Sequence, residues 1–349
     1  MINILVTRLQ NIGDTLVFIP ALRTLREALP DAQITFLGKH SGGLEIMKNC
    51  PYIDDTLVIR KRGLAEKLRL FKEFRKRKID YFIISPQDLG KAPWAWFGGA
   101  KKIAGYKKVF NHGKWRKEKL ISLLDISPDY DREKTETENC FELVKKVLED
   151  LKVHVPDFSS KKLEYSWVSD TDIKYAETLL NNVGVKGEFI VSSPFSKRPA
   201  KNWDYPHLRR LFEKIVEELN LPVMLLGGKP EQSEVEKLAE EVGDNCFSLA
   251  GKTSLEECAV IIQKAKLFFG PDSGPAFFAS AVETPAVVLY GPADFKRWRV
   301  VESSASRTDI FHKKECNPCE FQVCPKEKSC MDEITFDEVW EACLQTVNS

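Results

Sequence analysis

No apolar run in these 349 residues approaches the roughly 18 that a membrane-spanning helix needs. The N-terminus lacks a basic segment followed by a long apolar run and a small-residue cleavage site, so no secretory leader is expected and the chain is read as cytoplasmic. Histidine is scarce: His40, His112, His154, His207 and His312 show no H-E-x-x-H spacing, which removes the usual helical zinc site. The common nucleotide motifs are also missing. "AGKTS" at 250–254 copies the tail of a P-loop, but Cys246 stands where the leading glycine is required. No G-x-G-x-x-G follows the first strand, against a dinucleotide dehydrogenase, and no G-x-S-x-G marks a nucleophile elbow. Acids are sparse in one place. Between Arg60 and Lys119 five acids stand among 19 Lys or Arg, although the whole chain carries a net charge of only +1. Such a stretch is either a solvated helix face or a surface for an anionic partner such as a phosphorylated lipid or a membrane. No nucleic-acid-binding motif accompanies it, so nucleic acid is not expected as a partner.

What is present describes a soluble globular chain, 43% hydrophobic and 30% charged, and long enough for two domains. Short apolar runs read as strands at 2–6, 34–37, 56–59 and 81–84, and again at 189–191, 223–226, 246–249, 267–269 and 286–289. Helical periods separate them, as in Leu64, Leu68, Phe71 and Phe74, or Leu208, Leu211, Phe212, Ile215 and Leu219. Strand and helix alternate twice over, which predicts two doubly wound parallel α/β domains. The pattern breaks at "VPDFSSKKLEYSWVSD", giving domains of 1–165 and 166–349. A helix over 336–347 closes the chain and could pack on either.

In open parallel sheets, ligands lie beyond the carboxyl ends of the strands, where loops and helix N-termini present N–H groups. Asp272, Ser273 and Gly274 occupy such a place, ahead of a helix expected near Ala276 whose positive end favours an anion. A plain N-cap would use the same residue types. Ser192 and Ser193 end another strand, before a loop carrying Lys197, Arg198 and Lys201, so hydroxyls and cations meet where a diphosphate would need them. Glu231, after Gly227 and Gly228, could accept from a ribose hydroxyl or sit in a helix's first turn. In the first half, Gly13 and Asp14 follow the first strand, and a carboxylate there could take a proton from an attacking hydroxyl or cap the next helix.

Three stretches together resemble glycosyltransferase family 9, the heptosyltransferases of the lipopolysaccharide inner core: "ILVTRLQNIGDTLVFIPALRTLREALPDAQITFL", "SPFSKRPAKNWDYPHLRRL" and "GPDSGPAFFASAVETPAVVLYGPADFKRW". The resemblance implies a GT-B fold, two Rossmann-like domains facing a central cleft, with the acceptor on the N-terminal domain and the sugar nucleotide, typically ADP-heptose, on the C-terminal one. It implies inverting transfer without a catalytic metal. Asp14 resembles the family's general base and Lys201 its lysine on the donor diphosphate. Ser192 and Ser193 match phosphate-side hydroxyls, Glu231 the ribose acid, and Asp272, Ser273 and Gly274 the Asp-Thr-Gly that meets donor sugar and phosphate. The acceptor implied is an anionic phosphorylated glycolipid, which would bring the basic segment against the inner membrane surface. The chain departs from the family at Phe277, where a histidine is usual. Lys197, Arg198 or Lys201 is expected to supply the missing positive charge. A donor-binding protein without turnover, or a different donor sugar, are the alternatives this departure raises.

Four of the nine cysteines cluster late, Cys316, Cys319, Cys324 and Cys330 within segment 316–330. C-x-x-C is a common half-site for zinc, so a structural metal is one expectation and reduced thiols are the other. A metal-dependent redox or scaffold protein built on these thiols would be a different class of function altogether.

Overall fold

The computed structural model describes residues 1–348 apart from 10, 40–41, 61–62, 87, 112, 157–159 and 320; His40, His112 and part of the expected domain linker therefore lie outside the described residues. The chain divides into two compact units, Met1–Lys161 and Lys162–Ser349.

The first unit runs β1 (Asn3–Thr7), α1 (Ile12–Leu16), α2 (Ile19–Ala28), β2 (Gln33–Lys39), α3 (Gly42–Met47), β3 (Asp55–Ile59), α4 (Leu64–Arg77), β4 (Tyr81–Ile84), α5 (Ala92–Phe97) and β5 (Lys102–Ala104). A hairpin of β6 (Lys108–Asn111) and β7 (Lys114–Lys117) and the long α6 (Glu136–Asp150) complete it. Its parallel sheet has the order β3-β2-β1-β4-β5. Helices lie on both sides of a doubly wound sheet, so its strands are near-continuous apolar runs, and Leu5, Leu37 and Phe82 are fully buried beside Phe74 and Leu70 of α4.

The second unit runs α7 (Asp170–Asn182), β8 (Ile190–Ser192), α8 (Tyr205–Leu219), β9 (Val223–Leu225), α9 (Gln232–Val242), β10 (Cys246–Ser248) and α10 (Leu255–Lys264). It continues with β11 (Leu267–Pro271), α11 (Gly274–Ala281), β12 (Ala286–Tyr290), α12 (Phe295–Trp298), β13 (Arg307–Phe311) and α13 (Phe336–Asn348). The sheet order is β10-β9-β8-β11-β12-β13, again all parallel. The terminal helix packs on this unit: Phe336, Val339 and Cys343 join Leu211, Phe212 and Phe269 in its core.

Local chemistry starts several helices. Thr135 with Glu138, Ser169 with Asp172, and Ser254 with Glu257 form reciprocal capping boxes at α6, α7 and α10. Four strands escape the periodicity reading. β5 is three residues long, β7 is exposed throughout with three cations around Trp115, β6 reads only as its partner, and β13 alternates weakly. Gly113, at φ 74°, supplies the left-handed backbone between β6 and β7.

Strands β8 and β11 approach so closely that glycine is needed at 270: a Cβ there would lie 2.9 Å from the Ser193 carbonyl oxygen. Gly270→Ala should destabilise the protein by about 1–3 kcal/mol through overpacking, read as a lower denaturant midpoint at unchanged m-value. An unmoved midpoint would mean that the strands part without cost.

Candidate active site

In each unit the strand order reverses beside the first strand, so each has a switch point where side chains from two neighbouring loops converge. In the first unit it lies between β1 and β4. Asp14 is not in the loop, as its position after the first strand suggested, but third in α1, because Asn11 already caps that helix. Its Oδ2 accepts from the Asn11 N–H at 3.1 Å, so the capping role is real, and its Oδ1 lies 3.5 Å from Arg8 Nη2.

Arg8 was not singled out in the sequence, yet it organises this end of the sheet. Fully buried, it donates Nε to the Asp14 carbonyl at 2.6 Å and Nη1 to Ser85 Oγ at 3.3 Å and Glu136 Oε1 at 3.2 Å. Burial works against its charge, but the surrounding acids Glu136, Asp14 and Asp88, with the Cys140 thiol, outweigh it and raise the guanidinium pKa. Asp88 accepts from the Leu9 N–H at 3.0 Å and from Ser85 Oγ at 3.1 Å, which ties the loop after β4 to the loop after β1. Tyr130 adds its hydroxyl to Glu136 at 3.2 Å. Asp14 is thus held by its own helix on one side and a buried cation on the other. An arginine just after a strand gives no such signal in sequence, and Glu136 is 128 residues away.

In the second unit the switch point lies between β8 and β11, and the residues expected there are brought together. Helix α11 begins at Gly274, two residues before the predicted start, because Pro275 is well suited to a first turn and Ser273 takes the N-cap position. Ser273 makes no capping hydrogen bond with its side chain. Its Oγ and that of Ser192 are buried without a hydrogen-bond partner among the described residues, as is Thr7 Oγ1 in the first unit. Buried hydroxyls left unpaired are costly, and two of them at the ends of neighbouring strands, one at a helix N-terminus, suit a ligand with acceptor oxygens. Lys201 Nζ, 2.7 Å from both the carbonyl and Oδ2 of Asp272, places a cation at the same strand end. Ser193 is buried, with its N–H on the Phe269 carbonyl at 3.3 Å.

Glu231 sits in a short 3-10 turn after β9 and accepts from the Gly228 N–H at 3.0 Å. Phe277 is buried and packs edge-on against Trp298, ring centres 6.3 Å apart. Of the loop cations, Lys197 is exposed, while Arg198 donates to the carbonyls of Cys319 and Phe321, both at 2.8 Å. With Ala200 N–H on the Gln322 carbonyl, these bonds fasten the cysteine-rich segment to the loop that carries Lys201. Cys316, Cys319, Cys324 and Cys330 line one cavity of about 20 Å³. These four are not joined by disulfides, and among the described residues no three His, Cys, Asp or Glu side chains are arranged to hold a metal ion. What the segment visibly does is buttress the lysine loop.

Residues 67–329 match the profile of glycosyltransferase family 9 (heptosyltransferase). The chain is 27% identical over 306 residues to lipopolysaccharide heptosyltransferase 3 of Escherichia coli K12, covering 82% of each chain. Among solved structures, a family 9 glycosyl transferase of Veillonella parvula superposes with a TM-score of 0.78 at 20% identity, covering 99% of this chain and 97% of that one. The E. coli ADP-heptose lps heptosyltransferase II superposes at 0.77, also at 20% identity, covering 100% and 99%. At such identities the likeness establishes the fold, which is GT-B.

Proposed function

Because the chain belongs to glycosyltransferase family 9, we propose that it moves a heptosyl group from a nucleoside-diphosphate sugar, ADP-heptose, to a phosphorylated lipopolysaccharide inner-core acceptor, inverting the anomeric centre. The observation that carries this reading is the pair of unpartnered hydroxyls at the ends of neighbouring strands, Ser192 at the end of β8 and Ser273 at the N-terminus of α11, the latter next to Asp272, on which Lys201 lies. A diphosphate offers acceptor oxygens to these hydroxyls and to the helix N-terminus, and its negative charge would share Lys201 with the Asp272 carboxylate. The names of the similar proteins support the sugar and the acceptor class.

In this reading the first unit takes the acceptor and the second the donor. Asp14 removes the proton from an acceptor hydroxyl, whose oxygen forms a new bond to the anomeric carbon. The bond from that carbon to the β-phosphate oxygen breaks, and its electron pair leaves with the nucleoside diphosphate. Lys201, Ser192, Ser193 and the backbone of Asp272–Gly274 stabilise the departing charge. Glu231 takes the ribose, giving up its bond to Gly228.

The test is release of ADP from ADP-heptose with a deacylated inner-core acceptor. Release that requires the acceptor supports transfer. Tight ADP-heptose binding with no release would favour the non-catalytic reading, which Phe277 in place of an imidazole motivates. Lys201→Ala should weaken donor binding by about ten- to a hundredfold, the loss of a charged hydrogen bond. Ser192→Ala should weaken it by about three- to tenfold and leave stability unchanged, since its hydroxyl has no internal partner to lose. Unchanged donor affinity in both variants would move the diphosphate elsewhere.

A further inference from the structure

The first unit shows an apolar surface that neither its core nor the proposed chemistry uses. Helix α4 buries Leu70 and Phe74 against the sheet, four residues apart on one face. Its opposite face should be polar, yet Leu64 and Leu68 stand on it 71% and 58% exposed. The neighbouring α5 extends the surface: Trp96 and Phe97 are 57% and 51% exposed, and Phe97 stacks on Phe71 of α4 with ring centres 5.8 Å apart. Arg75 of α4 donates to the Phe97 carbonyl at 2.9 Å, locking the two helices together. Past α5, Leu120 and Ile121 are exposed as well. Six large apolar side chains left in water within one segment are not explained by folding.

The charges around them point to the occupant. Lys67 and Lys72 lie on α4 and Lys119 beside Leu120, all exposed and none in an ion pair within 4 Å among the described residues. They belong to the stretch in which Lys and Arg outnumber acids 19 to five. A protein partner would have to be both apolar and strongly acidic to cover such a face. An anionic bilayer offers both properties at once, phosphate headgroups for the lysines and acyl chains for Leu, Trp and Phe. We propose that the α4–α5 face docks on an anionic lipid bilayer, with Leu64, Leu68, Trp96 and Phe97 entering the headgroup boundary and the flanking lysines on the lipid phosphates.

The experiment is co-sedimentation of the full chain with vesicles of phosphatidylcholine containing about one-third phosphatidylglycerol, against pure phosphatidylcholine, at low and high salt. These lipids carry no sugar acceptor, so the outcome is independent of the transferase reading. The chain should bind the anionic vesicles, and binding should weaken with salt. The variant Leu64→Ser, Leu68→Ser, Trp96→Ser, Phe97→Ser should bind at least about tenfold more weakly, and Lys67→Glu, Lys72→Glu, Lys119→Glu should lose the preference for phosphatidylglycerol. Because these side chains are exposed, circular dichroism should show both variants folded. No binding at low salt, or binding undiminished in the apolar variant, overturns the proposal. So does a concentration-dependent dimer of the wild type that the apolar variant abolishes without change in vesicle binding, for then the face meets a second copy.

Discussion

Asp14→Asn should lower kcat by about 10²–10⁴-fold, the usual contribution of a positioned general base, with donor affinity nearly unchanged. Asparagine is the informative replacement because it keeps shape and one acceptor oxygen. That oxygen can still receive the Asn11 N–H, so the cap of α1 survives and the carboxylate's charge is what goes. The carboxylate stands opposite the fully buried Arg8 and is itself only partly buried, so a hydroxyl can reach it. Acceptor-dependent ADP release, measured beside donor binding and thermal unfolding, separates the possibilities. A fall in kcat at constant donor affinity and stability is expected. If kcat stays within about threefold of the wild type, Asp14 is a cap and the base lies elsewhere.

Arg8→Met should cost about 3–5 kcal/mol of stability, the penalty for stranding one member of a buried ion pair. Glu136 is as deeply buried as Arg8 itself, and the variant takes away the guanidinium while the carboxylate keeps the Tyr130 hydroxyl. The loss also frees the Asp14 carbonyl and Ser85. The second variant that makes the case is Arg8→Met with Glu136→Gln, which removes the uncompensated charge and should recover about 1–3 kcal/mol, a coupling that independent sites would not show. Denaturant unfolding of the two single variants and the double closes the cycle. A loss below about 1 kcal/mol for Arg8→Met, or strict additivity, would mean that the pair is solvated and does not hold Asp14 in place.

How much of this was legible beforehand differs from residue to residue. The place of Asp272, Ser273 and Gly274 in the fold was legible because they directly follow a buried apolar strand, and that of Ser192 and Ser193 for a similar reason. The start of α11, expected near Ala276, lies two residues earlier, with Pro275 in its first turn. The cysteine-rich segment drew notice for its thiols, and it also holds the Lys201 loop through backbone carbonyls that no side-chain pattern encodes.

The sequence by itself determined the alternation of strand and helix, the two-domain α/β class and the family, because hydrophobic period and short motifs are local properties written in consecutive residues. Only the tertiary structure decided that Arg8 and Glu136 meet, that the last helix packs on the second unit, and that Leu64 and Leu68 face outward beside Trp96 and Phe97. Those contacts depend on strand order and on which helix face finds the sheet. That choice is made by burying the most apolar surface of the whole unit, and residues far apart in the chain carry no local mark of it.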